Sequence, residues 1–497
     1  MQKKFVANLA FLLILNLFIK SIFILGFDRE VQNEVGAASY GVYFAIFNFS
    51  FILTIILDFG ITNFNNKNIA QNNHLLTKHF SGLFTLKIML AVLYILAVAI
   101  IGLVIGYNAR LMKLLMVQGF NMFLLFFISY LRSNLAGLHL FKTDAIVSVL
   151  DRTILIFLCI IMFQSGVLKD PTRDGIMYFV YAQTFSYLVS VITAFILILN
   201  KTHSFKLQWN WAFSLMILKK SLPFAILTLL MSFYNRIDGV MIERLLPEGV
   251  GDVQSGIYAQ GFRLLDAVNM IAFLTAGQLL PIFSRMLKYK ESVESLVKLI
   301  STLLLTAAIV IGVGCFFYST ELMEMLYPKQ GSMPVDIYSI HLEESSKIFS
   351  LLMLSFIAIS TTYIFGTLLT ANGNMKQLNI MAAFGMVLNI TLNLWLVRNP
   401  KTYGAFRSAI SSMITQYLTA IIQVIIAQRI FKFKINYRLI NTLIIFAIGV
   451  VAINYGSKML HFNWMLSFVL MSVTCVLWAF VSGIVNVKSI FRILKYG

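Results

Sequence analysis

Fourteen stretches of roughly twenty mostly apolar residues follow one another along this chain, and each is long enough to cross a bilayer as a helix. They fall at 5–27, 40–59, 80–106, 112–131, 145–165, 176–199, 214–237, 255–281, 296–318, 347–369, 378–397, 404–427, 439–457 and 463–485. Lipid admits only segments that satisfy their own backbone hydrogen bonds, so this pattern predicts an all-α polytopic membrane protein. The composition agrees: 59% of the 497 residues are hydrophobic and 12% are charged. A soluble domain carries about twice that charge, so a soluble enzyme and a disordered chain are both excluded. The first run follows Lys3 and Lys4 and resembles a signal peptide. It lacks a small-x-small cleavage site and is interrupted by Lys20, so we read it as a retained helix.

The net charge of +19 would suggest nucleic acid in a soluble protein. In a membrane chain it first reports orientation. With the N-terminus inside, and with Lys/Arg near span ends counted in the adjoining loop and Asp238 in span seven, the cytoplasmic segments hold 22 Lys/Arg against 3 Asp/Glu, and the external segments hold 12 against 13. This places both termini in the cytoplasm, and no nucleic-acid partner is expected. Trp209, Trp211 and Trp464 sit at span ends, where an amphipathic indole is favoured. Cys159, Cys315 and Cys475 all fall inside spans and read as packing residues. The segment 319–346, with Glu321, Glu324, Asp336, His341, Glu343 and Glu344, reads as the longest external loop.

A repeat is visible at an offset of 215 residues. Lys4 matches Lys219, Asp28 matches Glu243, Arg29 matches Arg244, Val35-Gly36 matches Val250-Gly251, and Gly41-Val42-Tyr43 matches Gly256-Ile257-Tyr258. Spans one and seven run in the same direction, so the repeat is parallel, an arrangement that builds transporters. The expected organisation is an N-lobe (1–206, spans one to six), a C-lobe (207–430, spans seven to twelve) and a terminal pair (431–497).

Ionisable residues inside spans are expensive and usually face a cavity or a partner. Asp58, Lys87, Asp151 and Arg152 lie nearer the cytoplasmic ends, where Lys87 can snorkel, and read as structural. Lys20, Arg236 and Arg263 fall in the outer half of spans one, seven and eight, and the repeat sets Lys20 opposite Asn235. Two readings stay open. One is ion pairing with Asp238 and Asp266 for lobe integrity; the other is a cationic site for an anionic substrate, to which Arg suits phosphate. Asn8, Asn16 and Lys20 share a helical face. Gln260 and Asn269 mark span eight, and Asn379, Asn389 and Asn393 mark span eleven. Each is suited to interhelical contact or to substrate. Pro223 interrupts span seven and is expected to kink it as a hinge. No Walker A loop occurs, and no His/Cys cluster has metal spacing, so no cofactor or metal is expected.

The stretch Gly-Val-Tyr-Phe (41–44) through Leu-Asp-Phe-Gly-Ile (57–61), with Asn8 and Lys20 in span one, resembles the polysaccharide flippases of the multidrug/oligosaccharidyl-lipid/polysaccharide exporter superfamily. So does Asn-Arg-Ile-Asp-Gly-Val-Met-Ile (235–242) followed by Gly-Ile-Tyr (256–258). The resemblance implies a non-enzymatic inner-membrane flippase that moves a polyprenyl-diphosphate-linked oligosaccharide, an O-antigen or capsule precursor, across the bilayer by alternating access. Other glycan-assembly membrane proteins are the partners it suggests. It implies that Lys20, Arg236 and Arg263 hold the diphosphate. Two alternatives remain: an ion-coupled small-molecule or drug exporter of the same superfamily, for which Asp266 offers a coupling group, and a membrane polymerase or ligase using the acids and His341 of 319–346.

Overall fold

Lipid leaves a backbone no hydrogen-bonding partner but itself, and the chain responds with helices alone among its described residues. The structure, a computed structural model, describes residues 15–62, 65, 69, 75–138, 140–169, 174–202, 210–329, 334–397, 404–433, 437–460 and 462–484. Fifteen helices are described: α1 (Leu15–Ile52), then α2 (Ile55–Asp58), α3 (Leu75–Ile105), α4 (Ala109–Gly137), α5 (Phe141–Ser165), α6 (Gly175–Leu199), α7 (Trp211–Leu245) and α8 (Val250–Lys288). They continue with α9 (Glu294–Phe317), α10 (Ser319–Leu326), α11 (Val335–Ala371), α12 (Met375–Leu396), α13 (Gly404–Phe431), α14 (Tyr437–Met459) and α15 (Trp464–Val481).

Twelve of the described helices are long and apolar enough to cross a membrane. The difference from fourteen has two causes. Predicted spans one and two are joined in α1, and predicted span eight lies in α8, outside the twelve. The segment 28–39, expected as a loop, is helical except at Gly36, where φ is 78° and ψ is 162°. A side chain is strained at that φ, so a glycine breaks the helix there. Just before it, Phe23–Asp28 is wound as a π-helix, a form that recurs at functional positions.

Most of the expected loop 319–346 is helical. It contains α10, and α11 begins at Val335, so its acids sit on helices and Glu344 is buried. The reason is that acids spaced along an amphipathic turn read as polar in a hydropathy count yet still permit helix.

Two compact units divide the chain, Met1–Gly256 and Ile257–Gly497. In the first, α4 packs along α6, and α1 packs on α7. Its core includes Leu83, Phe127, Tyr130 and Ile198, with Phe84 edge-on to Phe127 at 5.2 Å. In the second, α11 packs along both α13 and α9, and α14 and α15 form a pair against α9. The face of α13 that meets its neighbours is small and polar: Ser408, Ser411, Ser412, Thr415 and Thr419 are buried, and such residues let membrane helices approach closely. The three cysteines are free; Cys159 and Cys475 are buried and Cys315 partly so.

In the terminal pair the indole Nε1 of Trp478 donates to the Phe446 carbonyl at 3.3 Å. A Cβ on Gly449 would lie 2.8 Å from Cζ2 of that ring. A rigid indole cannot yield, so Gly449→Ala is expected to destabilise by about 1–3 kcal/mol, the cost of overpacking. Thermal unfolding in detergent checks this against Gly456→Ala, which has open space at its Cβ and is expected to keep the wild-type midpoint.

Candidate functional site

The first unit carries a cluster of ionisable side chains on membrane-crossing helices. Lys20 lies on α1 one turn before the π-helix. The charges acting on it are Asp151, Arg132, Arg152 and Asp144. Arg132, five residues before the end of α4, reaches Asp144 at the start of α5 with two hydrogen bonds, Nε to Oδ1 at 2.7 Å and Nη2 to Oδ2 at 3.3 Å. Arg152 stands 3.6 Å from Asp151. Its guanidinium lies over the rings of Phe23, at 5.0 Å, and Tyr187, at 5.7 Å. Phe23 opens the π-helix and buried Asp28 closes it. Asp28 accepts a hydrogen bond from the Tyr40 hydroxyl at 2.9 Å and is among the groups acting on Arg152. Tyr43 completes the surround, accepting from Gln183 Nε2 at 2.9 Å. Asn16, a turn before Lys20, donates to Ser148 Oγ at 2.6 Å and fixes α1 against α5.

The arrangement is three bases, Lys20, Arg132 and Arg152, interleaved with three acids, Asp28, Asp144 and Asp151. Such a set is close to neutral, and its charges are solvated by each other and by aromatic faces instead of water. Asp151 is ten residues on from Phe141 in the 25-residue α5.

The other sequence candidates fall elsewhere. Asn8 lies outside the described residues. Arg236, on α7, lies over the Phe51 ring at 5.1 Å. Asp238 is buried, next to Gly239, where α7 meets Phe44 and Asn48 of α1. Pro223 is inside α7, which continues through it. Gln260, Arg263 and Asp266 lie on α8 in the second unit. There the carbonyl of Gln260 accepts from Tyr327 at 3.4 Å. Asn389 and Asn393 of α12 bond each other and Ser411, and Ser408 bonds Asn393 at 2.6 Å. Interhelical contact is thus how these two asparagines are used. Among the described residues no group of three or more His, Cys, Asp or Glu is placed to hold a metal.

Lys87 does not snorkel. It is 3% exposed, ion-paired with Asp58 and bonded to the Leu57 carbonyl at 3.0 Å. Of the cluster, hydropathy placed Arg132 and Asp144 in a cytoplasmic loop, and Asp151 and Arg152 read as structural. The signal available was opposite charges bracketing the α4–α5 turn, twelve residues apart.

The ionisable groups of this cluster are carried on helices long and apolar enough to cross a membrane. Comparisons with known proteins narrow the class. The family described as "Polysaccharide biosynthesis protein" matches residues 5–287, and the chain belongs to it. Among solved structures, the lipid II flippase MurJ in an inward closed conformation is similar at a TM-score of 0.65 and 15% identity, over 96% of this chain and 98% of that one. An inward-facing multidrug resistance MATE family transporter of the MOP superfamily is similar at 0.61 and 14%, over 84% and 98%. A MOP superfamily transporter from Pyrococcus furiosus is similar at 0.61 and 13%, over 86% and 96%. These likenesses define the fold. A search of curated proteins gives no match.

Proposed function

We propose that this protein is a flippase that carries a polyprenyl-diphosphate-linked oligosaccharide, a surface polysaccharide precursor such as O-antigen or capsule, from the cytoplasmic to the external leaflet of the inner membrane. The observation that carries the reading is Lys20 among Arg132 and Arg152 on membrane-crossing helices, in a chain of the polysaccharide biosynthesis family. A diphosphate entering the membrane needs cations, and it supplies the charge that Asp151 and Asp144 otherwise provide. Lys20, Arg236 and Arg263 are the proposed diphosphate contacts. Asn8, Asn16, Asp238, Gln260 and Asp266 are proposed to line the path or couple it to an ion. The termini are cytoplasmic in this reading, and the protein acts without covalent catalysis, beside the enzymes that build and polymerise the glycan.

The test is the leaflet position of the lipid-linked oligosaccharide. Depleting the protein should trap it on the cytoplasmic side and abolish surface polysaccharide. The combined variant Glu343→Gln, Glu344→Gln, His341→Ala should export at the wild-type level; loss of polymerised glycan with normal translocation would make the protein a polymerase or ligase. An ion-coupled small-molecule exporter is the second reading, favoured by the acids Asp144 and Asp151 that act on Lys20. It requires normal glycan after depletion.

Pro223→Ala restores the helical hydrogen bond that proline removes. It is expected to cut transport severalfold while leaving the amount of protein in the membrane unchanged, as read by export per unit of protein on immunoblots.

A further inference from the structure

We propose that Gly41 of α1 and Gly256 of α8 form the seam that closes the external side of the transport path, and that this seam parts and re-forms in each cycle. The sidedness rests on the orientation given under Proposed function.

The contact is backbone against backbone. A Cβ on Gly41 would fall inside the carbonyl of Asp252 and 2.6 Å from the Gly256 nitrogen; a Cβ on Gly256 would fall inside the carbonyl of Ala37, 2.6 Å from its carbon. Each glycine faces a carbonyl four residues before the other, so the two halves of the contact are related by the 215-residue offset of the repeat. Each glycine carbonyl also receives a side chain from the opposite helix. Gln32 Nε2 donates to Gly256 O at 3.0 Å, and Ser255 Oγ donates to Gly41 O at 3.2 Å. At this range glycine Cα–H groups face carbonyl oxygens, a weak attraction.

Weak bonds and bare backbone make a contact that is tight when closed and inexpensive to open, unlike a buried ion pair. A hinge lies beside each partner. Gly36, five residues before Gly41, has φ 78°, and Gly249, seven residues before Gly256, has φ 81°. Such positions absorb large backbone rotations. Each glycine lowers helix stability, and each comes with an adjoining break in the backbone.

The test uses full-length protein with Cys159, Cys315 and Cys475 replaced by serine, and one reporter, Asn48→Cys, which is buried two turns deeper on α1. A membrane-impermeant maleimide is added from outside. Gly41→Ala and Gly256→Ala hold the seam apart and are expected to raise the labelling rate about tenfold or more, from the usual cost of overpacking. Gln32→Ala with Ser255→Ala keeps the glycines and is expected to raise it by a smaller factor. Gly456→Ala should leave it unchanged. Wild-type labelling in both glycine variants at normal membrane levels overturns the proposal, as does labelling that rises only from the cytoplasmic side. If the glycine variants do not reach the membrane, an unchanged rate in the Gln32/Ser255 variant overturns it instead. Labelling needs no substrate, so its failure leaves the flippase reading standing, and Lys20→Gln tests that reading without touching the seam.

Discussion

Lys20→Gln is expected to lower surface polysaccharide roughly ten- to a hundredfold with the protein still in the membrane. A hydrogen bond to a charged group is worth about 1.5–3 kcal/mol, and each 1.4 kcal/mol is tenfold. The variant alone does not separate two roles, because Asp151 is the acid that chiefly balances Lys20. Lys20→Gln combined with Asp151→Asn does. If Lys20 only neutralises Asp151, the double variant regains export. If Lys20 holds the diphosphate, the double variant regains thermal stability and stays defective in export. Lys20→Arg is expected to retain partial function, since the charge survives while its reach and geometry change. Full export by Lys20→Gln, Arg236→Gln and Arg263→Gln would remove the cationic site from this protein.

The second large effect is on stability. Lys87→Met leaves Asp58 without its counter-ion in a membrane-embedded position. Its own side chain is 2% exposed and that of Asp58 17%. Removing one partner of a buried pair costs about 3–5 kcal/mol. The pair also ties local structure together. The chain leaves α2 through Phe59 in the left-handed region, φ 46°, which strands the carbonyls of that turn. Lys87 Nζ bonds that of Leu57, and Asp58 accepts from Thr62 N at 3.2 Å and from the Thr62 hydroxyl. Lys87→Met should therefore lower both membrane yield and the thermal midpoint in detergent. Lys87→Met with Asp58→Leu should recover most of the loss, because an apolar pair of similar volume carries no desolvation penalty. An unchanged midpoint in Lys87→Met would show that the pair contributes nothing to stability.

The spans were legible because a run of twenty apolar residues has one physical use, and helices take up most of the described part of every predicted run. What hydropathy could not resolve were the ends. Arg132 and Asp144 are polar residues at the borders of apolar runs, so they read as loop. In the fold they lie on α4 and α5, paired with each other and acting on Lys20. The π-helix at Phe23–Asp28 and the break at Gly36 were invisible for a different reason. The π-helix has contacts from outside its own segment at both ends, Arg152 over Phe23 and Tyr40 on Asp28, and the break at Gly36 has no local signature beyond the glycine. Lys87 illustrates a third limit. A lysine's stem permits snorkelling, and only the position of Asp58, 29 residues away, decides that it stays in.

The matched glycines 41 and 256 were visible as a repeat without any hint that the two copies touch. Each presents the same surface to the other, the isologous geometry of a symmetric homodimer, but within a single polypeptide. In a homodimer every substitution enters twice and both sides must tolerate it. Here each enters once, so the two sides are free to diverge while the backbone contact stays symmetric. They have done so: a glutamine on one side and a serine on the other serve the same pair of carbonyls.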